Sequence, residues 1–160
     1  MYLDHIVAIY QTTTGFSALG FDPIKIMDVE NRLGVIFPTI YREFLLKLAC
    51  SFAPWAGSDF SPGWLPDLQG WARELLVEDG FPLPLPDDAL VFRQHGGNDF
   101  DFFCFSEGDD PPTYFYDTDQ TEPVFRRSAD SFSTFITKDF AYYLDQQNIP
   151  IPPGLRPTSS

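Results

Sequence analysis

The sequence predicts an α+β domain in which a four-stranded antiparallel meander packs against helices that precede and follow it. Three observations predict this class, and the first two are that residues 22–48 and 132–144 have helical periodicity and that four short aromatic or β-branched runs lie between them, separated by turn-forming segments. The third is length, because 160 residues, 44% of them hydrophobic, suffice for one core but hardly for two. We therefore expect one domain over residues 1–148, formed by helices, then the meander, then a helix.

The N-terminal part contains two clear helices. Residues 6–10 fit either a strand or a buried helical turn. A helix is predicted to begin at Asp22-Pro23, because Asp is a good N-cap and Pro suits the first helical position, and to end at Gly34. A second helix opens at Pro38-Thr39. Its apolar residues recur at helical spacing and are Tyr41, Phe44, Leu45 and Leu48.

The middle of the chain is predicted to be a loop followed by a short helix. Residues 52–70 are rich in Pro, Gly and aromatic residues, which indicates a packed loop or an insertion. Residues 71–78 then form a short helix that ends at Gly80. Three prolines within residues 81–86 exclude a helix or a central strand there, since each removes a backbone donor.

The meander and a final helix follow. The four predicted strands are 90–95, 100–106, 113–118 and 124–129. The segments between them are short and rich in Gly, Asp and Pro, which is typical of antiparallel hairpins. Asp130 or Ser131 is predicted to cap a helix that covers one face of the sheet, with apolar residues Phe132, Phe135, Ile136, Phe140, Tyr143 and Leu144. Residues 149–160 are expected to form a Pro-rich flexible tail.

The net charge of −13 is concentrated in one stretch. Between Glu74 and Phe125 there are thirteen acids and a single base, Arg93. We expect no nucleic-acid binding, because phosphates need a basic patch that this chain lacks. Such a field attracts a basic partner and speeds the encounter with it. A solvated acidic surface without any partner accounts for the same charge equally well.

The residues give no arrangement for catalysis or metal binding. Asp117-Thr118-Asp119 begins like a calcium loop, but its sixth position, Glu122, should be Gly. His95 and Cys104 lie on adjacent predicted strands, yet Cys104 stands among phenylalanines, where burial raises the pKa of a thiol. We expect Cys50 and Cys104 to be free, reduced thiols, and we expect no enzymatic activity, no metal and no cofactor.

The sequence shows neither a membrane span nor a secretory signal. It contains no apolar run of about 18 residues, and residues 1–5 lack the basic start and apolar stretch of a signal peptide. We therefore expect a cytoplasmic protein with no membrane contact.

Residues 27–45, MDVENRLGVIFPTIYREFL, contain a helix with a Glu, a Leu-Gly step, a Phe-Pro pair and a helix with Tyr and Phe-Leu. This order resembles the opening motif of the SUKH superfamily, the Smi/Knr-type domains. Residues 96–105 resemble the glycine turn and aromatic strand of that family, 113–117 the strand after it, and 130–136 its closing helix. The chain departs from the family at residues 49–55, where Asn-Gly-Gly is usual.

The resemblance implies a non-enzymatic binding module. Bacterial members look like immunity proteins that bind and neutralise a cognate polymorphic or contact-dependent toxin, often a nuclease. Fungal members look like regulatory scaffolds of cell-wall synthesis. Since nuclease toxins carry basic clefts for phosphate, an acidic face is complementary to them. We therefore expect an immunity protein, with a regulatory or scaffold interaction module of the same fold as the alternative.

The candidate partner-binding residues are acids of the meander and aromatic anchors. Alternate hairpin tips can meet at one end of a sheet, where charge would raise the association rate and an aromatic side chain would supply short-range affinity. The acids are Asp99, Asp101, Glu107, Asp109, Asp110, Asp117, Asp119 and Glu122, and the aromatic residues are Trp55, Trp64 and Tyr116.

Overall fold

A computed structural model of the protein describes residues 1–55 and 60–156. These residues form one four-stranded sheet and five α-helices, so the predicted α+β class is confirmed. In chain order the elements are α1 (Asp4–Thr14), α2 (Pro23–Leu33), α3 (Thr39–Lys47), α4 (Leu65–Glu78), β1 (Ala89–His95), β2 (Asp99–Cys104), β3 (Thr113–Asp117), β4 (Arg126–Ala129) and α5 (Phe132–Gln146).

The ends of α2 and α5 form as their local sequence predicts. At the start of α2, Asp22 Oδ1 accepts a hydrogen bond from the Ile24 nitrogen at 2.8 Å. The helix ends at Gly34, whose φ of 68° lies in the left-handed region that glycine adopts readily. Of the two candidate caps of α5, Ser131 is the one used, and its hydroxyl accepts from the Thr134 nitrogen at 3.1 Å.

Residues 6–10, which fit either a strand or a helical turn, belong to helix α1. No side chain of its own caps this helix. Instead the carboxylate of Glu43, which is buried on α3, accepts hydrogen bonds from the backbone nitrogens of Tyr2 and Leu3, both at 3.0 Å. Because this cap comes from forty residues away, no local pattern announces it.

Helix α4 begins at Leu65, and not at Trp71 as predicted. Pro66 lies in the first turn, where a missing N–H removes no intrahelical hydrogen bond. Gly70 is exposed, and a Cβ there would meet nothing within 4 Å, so the helix runs through it without a clash. The loop expected over 52–70 therefore ends at the 3₁₀ turn Pro62–Trp64, and its residues 56–59 lie outside the described residues.

The sheet is an antiparallel meander in the order β1-β2-β3-β4. His95 pairs with Asp99 and Ala89 with Cys104, so His95 and Cys104 lie at opposite ends of one strand pair and do not face each other. The outer edge of β1 is covered by α4. The Gln69 amide donates to the Val91 carbonyl at 2.7 Å and accepts from the Val91 nitrogen at 2.8 Å.

Aromatic side chains form the core on both faces of the sheet. On one face α5 packs with Phe132, Phe135 and Phe140 buried, as predicted. Tyr41 of α3 contacts Phe132, with their ring centroids 5.3 Å apart. On the other face the rings of Trp71 and Phe100, Phe81 and Tyr116, and Phe102 and Phe125 are in contact. The helices and loops therefore cover the sheet on both sides.

The segment after α5 returns to the core. Residues 149–160 are the predicted Pro-rich tail, and within it Leu155 is fully buried. Ile149 and Ile151 also pack against the core. Burial therefore extends to Leu155, while residues 157–160 lie outside the described residues.

Candidate partner-binding site

The connections between the strands of the meander lie at two opposite ends of the sheet. In consecutive antiparallel strands, alternate connections lie at the same end. The turn at 96–98 and the connection at 118–125 therefore share one end, and the connection at 105–112 lies at the other. We call the first of these the acidic end; its acids are Asp99, Asp117, Asp119 and Glu122.

Hydrogen bonds from backbone and side-chain groups hold the acidic end together. The Thr118 nitrogen donates to the Asn98 carbonyl at 3.0 Å, which joins the two connections. The Asp119 nitrogen donates to Asp117 Oδ1 at 2.8 Å, an Asx turn. The Gln120 amide donates to the carbonyls of Glu122 and Val124. Asp119 and Glu122 are exposed, so their carboxylates project from a braced loop.

Glu107, Asp109 and Asp110 lie at the opposite end of the sheet, so the predicted acids do not share one surface. Asp110 accepts from the backbone nitrogen and the hydroxyl of Ser133 in the first turn of α5. Asp109 accepts from the Thr39 hydroxyl at 3.2 Å. Glu107 accepts from the Tyr114 hydroxyl at 2.7 Å, and burial together with this bond raises the pKa of Tyr114 to about 12.

Three other candidates are buried. Trp55 is 1% exposed and packs against Tyr10 and Phe140, and Tyr116 is 2% exposed with its hydroxyl donating to Asp79. Asp101 is 1% exposed, because its position on β2 points to the face that α5 covers. The expectation that these residues present themselves to a partner is therefore wrong. Among the aromatic candidates Trp64 is exposed, in the turn before α4.

Asp101 belongs to a buried charge cluster that also contains Arg93 and Asp139, which we call the Arg93 triad. The guanidinium donates to Asp101 from Nε and to Asp139 from Nη1, each at 2.9 Å. Burial alone would lower the pKa of Arg93, but the two carboxylates outweigh it and raise that pKa. The single Arg or Lys within residues 74–125 is therefore used internally, on Asp101 and Asp139.

A β-bulge directs Arg93 into the triad. The register between β1 and β2 shifts between Val91 and Arg93, so that Phe92 and Arg93 both contact α5. In a regular strand, successive side chains point to opposite faces, so without the bulge Phe92 and Arg93 would lie on opposite faces of the sheet. Arg93 and Asp139 were not among the residues predicted for the site. The signal available was that Arg93 is the one base in an acidic stretch, since a lone base among acids has partners within reach.

The cysteines of the described residues are both free thiols, with Cys104 buried and Cys50 partly buried. Burial raises the pKa of the Cys104 thiol to about 12, so it stays protonated and unreactive at neutral pH.

Within residues 1–55 and 60–156, His, Cys, Asp and Glu side chains nowhere gather in a group of three or more that suits a metal ion. Every helix in that part of the chain is too short or too polar to traverse a bilayer.

These features define an α+β domain whose meander is covered by helices and presents the exposed carboxylates of Asp119 and Glu122 at one end. The chain belongs to the SMI1/KNR4 family (SUKH-1), whose model matches residues 20–138. SUKH domains are known as immunity-protein domains and are generally non-catalytic. No curated protein matches the chain. The match spans α2 to the middle of α5 and therefore includes the whole meander and the acidic end.

Proposed function

We propose that the protein is an immunity protein that binds a cognate toxin and neutralises it, and that the toxin presents a basic surface to the acidic end. Family membership supports the immunity role, because SUKH domains serve in it. A nuclease toxin fits especially well, since it needs a basic cleft for the phosphates of its substrate.

The observation that carries the charge argument is a contrast between two sets of acids. Buried acids are neutralised within the domain: Glu30 pairs with Arg42, Glu43 with Lys47, and Asp101 with Arg93. The salt bridges among the described residues include none to Asp117, Asp119 or Glu122. Carboxylates that remain unpaired on a braced surface are available to the bases of a partner.

The test is capture from the native host followed by a toxicity assay. The tagged chain is used as bait beside the double variant Asp119→Asn/Glu122→Gln, and each captured protein is expressed in cells with and without the chain. The proposal expects a basic protein that arrests growth when expressed alone and is harmless when co-expressed. A captured protein that is harmless alone and belongs to a regulatory assembly would instead support the scaffold alternative.

A further inference from the structure

A cavity of about 340 Å³ lies between α5, β1, residues 53–54 and Phe60. Its lining includes Phe60, Arg93, His95, Asp139, Tyr142 and Tyr143. The volume is at the lower end of the range for ligand sites, roughly 300–1,000 Å³. It adjoins the acidic end, because His95 Nδ1 lies 3.0 Å from Oδ1 of Asp99. The proposed function makes no use of this cavity.

The floor of the cavity has an unbalanced negative charge. The Arg93 triad holds two carboxylates, from Asp101 and Asp139, against one guanidinium. All three guanidinium nitrogens of Arg93, Nε, Nη1 and Nη2, face these carboxylates, so few of its N–H groups are left to bind an anion. Asp139 is 22% exposed, and among the described residues its Oδ2 receives no hydrogen bond. A cation at this place would complete the charge balance.

The walls of the cavity are aromatic. Asp139, Tyr142, Tyr143 and Gln146 recur at i, i+3, i+4 and i+7 along α5, so one stripe of the helix lines the cavity. Tyr142 is 66% exposed. The same region already stabilises one guanidinium, since Arg93 lies 4.4 Å from the ring centroid of Phe135 and 5.6 Å from that of Phe60.

We propose that this cavity receives a basic side chain, an arginine or a lysine, of the protein partner. The Asp139 carboxylate would accept hydrogen bonds from the charged group while the tyrosine rings pack on its aliphatic stem or its guanidinium plane. Acids at the rim of an interface act mainly on association rate, whereas a charged side chain enclosed in an aromatic pocket slows dissociation. The inference rests on the proposed function for the identity of the partner but not for the chemistry of the pocket.

The test uses probes that need no partner. N-acetyl-arginine amide is titrated into the ¹⁵N-labelled full chain, with N-acetyl-citrulline amide as the uncharged isostere and choline as a small cation. We expect saturable shifts at residues 139–146 and at His95 with the arginine probe, and none with citrulline. Tyr142→Ala should weaken this binding about threefold or more, and Asp139→Asn about tenfold.

The matched control is Tyr2→Ala, which removes a similarly exposed tyrosine elsewhere, 58% exposed against 66% for Tyr142. It should bind the arginine probe like the parent chain. If Asp139→Asn no longer gives the ¹⁵N spectrum of a folded chain, the test rests on Tyr142→Ala alone, because an exposed side chain is not needed for folding. No saturable shift, equal binding of citrulline, shifts confined to Asp119 and Glu122, or binding of choline without arginine would each overturn the inference.

The pocket and the proposed function fail separately. Arginine binding without any protection against a toxin would keep the pocket and remove the immunity role. Protection without arginine binding would keep the immunity role and remove the pocket.

Discussion

Asp110 holds the start of α5 through Ser133. Its Oδ1 accepts from the Ser133 nitrogen at 2.9 Å and its Oδ2 from the Ser133 hydroxyl at 2.5 Å. The first nitrogens of a helix have no intrahelical acceptor, and a carboxylate also complements the positive end of the helix dipole. An acid that sequence analysis assigned to a partner surface therefore joins the β2–β3 connection to the helix that covers the sheet.

Replacing Asp110 by Ala should lower the free energy of unfolding by about 1–2 kcal/mol, because the nitrogen and the hydroxyl of Ser133, in the first turn of α5, lose their acceptor. Urea denaturation measures this loss. The control is Asp109→Ala, one residue away and exposed, which should change stability by about 0.5 kcal/mol or less. Equal effects of the two substitutions would contradict the capping role.

Neutralising the acidic end with Asp119→Asn/Glu122→Gln should slow association with the toxin and flatten the salt dependence of that rate, since both carboxylates act over a distance that salt screens. Stopped-flow measurements across salt concentrations test this. The control removes the same charge from the opposite end, with Glu107→Gln/Asp109→Asn, and should leave the rate nearly unchanged. A parent rate that does not respond to salt would show that the acidic end is only solvated surface.

Tyr41→Phe should leave the free energy of unfolding unchanged or raise it by up to about 1 kcal/mol. The Tyr41 hydroxyl is fully buried and has no hydrogen-bond partner among the described residues. It forms hydrogen bonds with water only when the chain unfolds, so removing it costs the folded state nothing. Tyr116→Phe is the matched control, and it should lose about 1 kcal/mol because its hydroxyl donates to Asp79 at 2.7 Å. The idea fails if thermal unfolding shows both variants equally destabilised.

Stability should fall as the pH rises above about 9. Burial raises the pKa of Cys104 to about 12 from an ordinary value of 9.0, and that of Tyr114 to about 12 from 10.0. Burial also raises the pKa of Tyr41. In this range the unfolded chain loses protons that the folded chain retains, so it binds fewer protons and the free energy of unfolding decreases with pH.

Melting temperatures measured from pH 8 to pH 11 test this dependence. Tyr41→Phe should give a shallower decrease than the parent, because it removes one of the groups that ionise only on unfolding. A melting temperature that stays constant over this range would contradict the raised pKa values.

The sequence predicted elements whose determinants are local. α2, α3, the meander and α5 each follow from a cap, a periodicity or a turn within a few residues, as at Asp22 and Gly34. α1 stayed ambiguous because its cap, Glu43, comes from α3. α4 was predicted too short because the Pro- and Gly-rich composition of residues 52–70 indicates a loop, although a proline in the first turn, as at Pro66, is compatible with a helix.

The candidate site was less predictable because it depends on geometry between elements. Asp119 and Glu122 are exposed and stay predicted partner-binding residues, but Glu107 and Asp110 were grouped with them without regard to the end of the sheet that each connection occupies. Asp101 is buried because its position on β2 points to the face that α5 covers. Its partner Arg93 reaches it through the β1 bulge, and no periodic pattern in the sequence predicts a bulge at that position.

The two hydrogen bonds between Gln69 and Val91 also occupy part of the outer edge of the sheet. The Gln69 side-chain amide takes the place that a fifth strand would occupy. The Val91 nitrogen and carbonyl are therefore already hydrogen-bonded and cannot pair with a strand of another molecule. At the other edge β4 is four residues long and begins with Arg126 and Arg127, both exposed. A short, charged edge is a poor template for fibril growth, which protects a sheet so rich in aromatic residues from stacking edge to edge in a crowded cell.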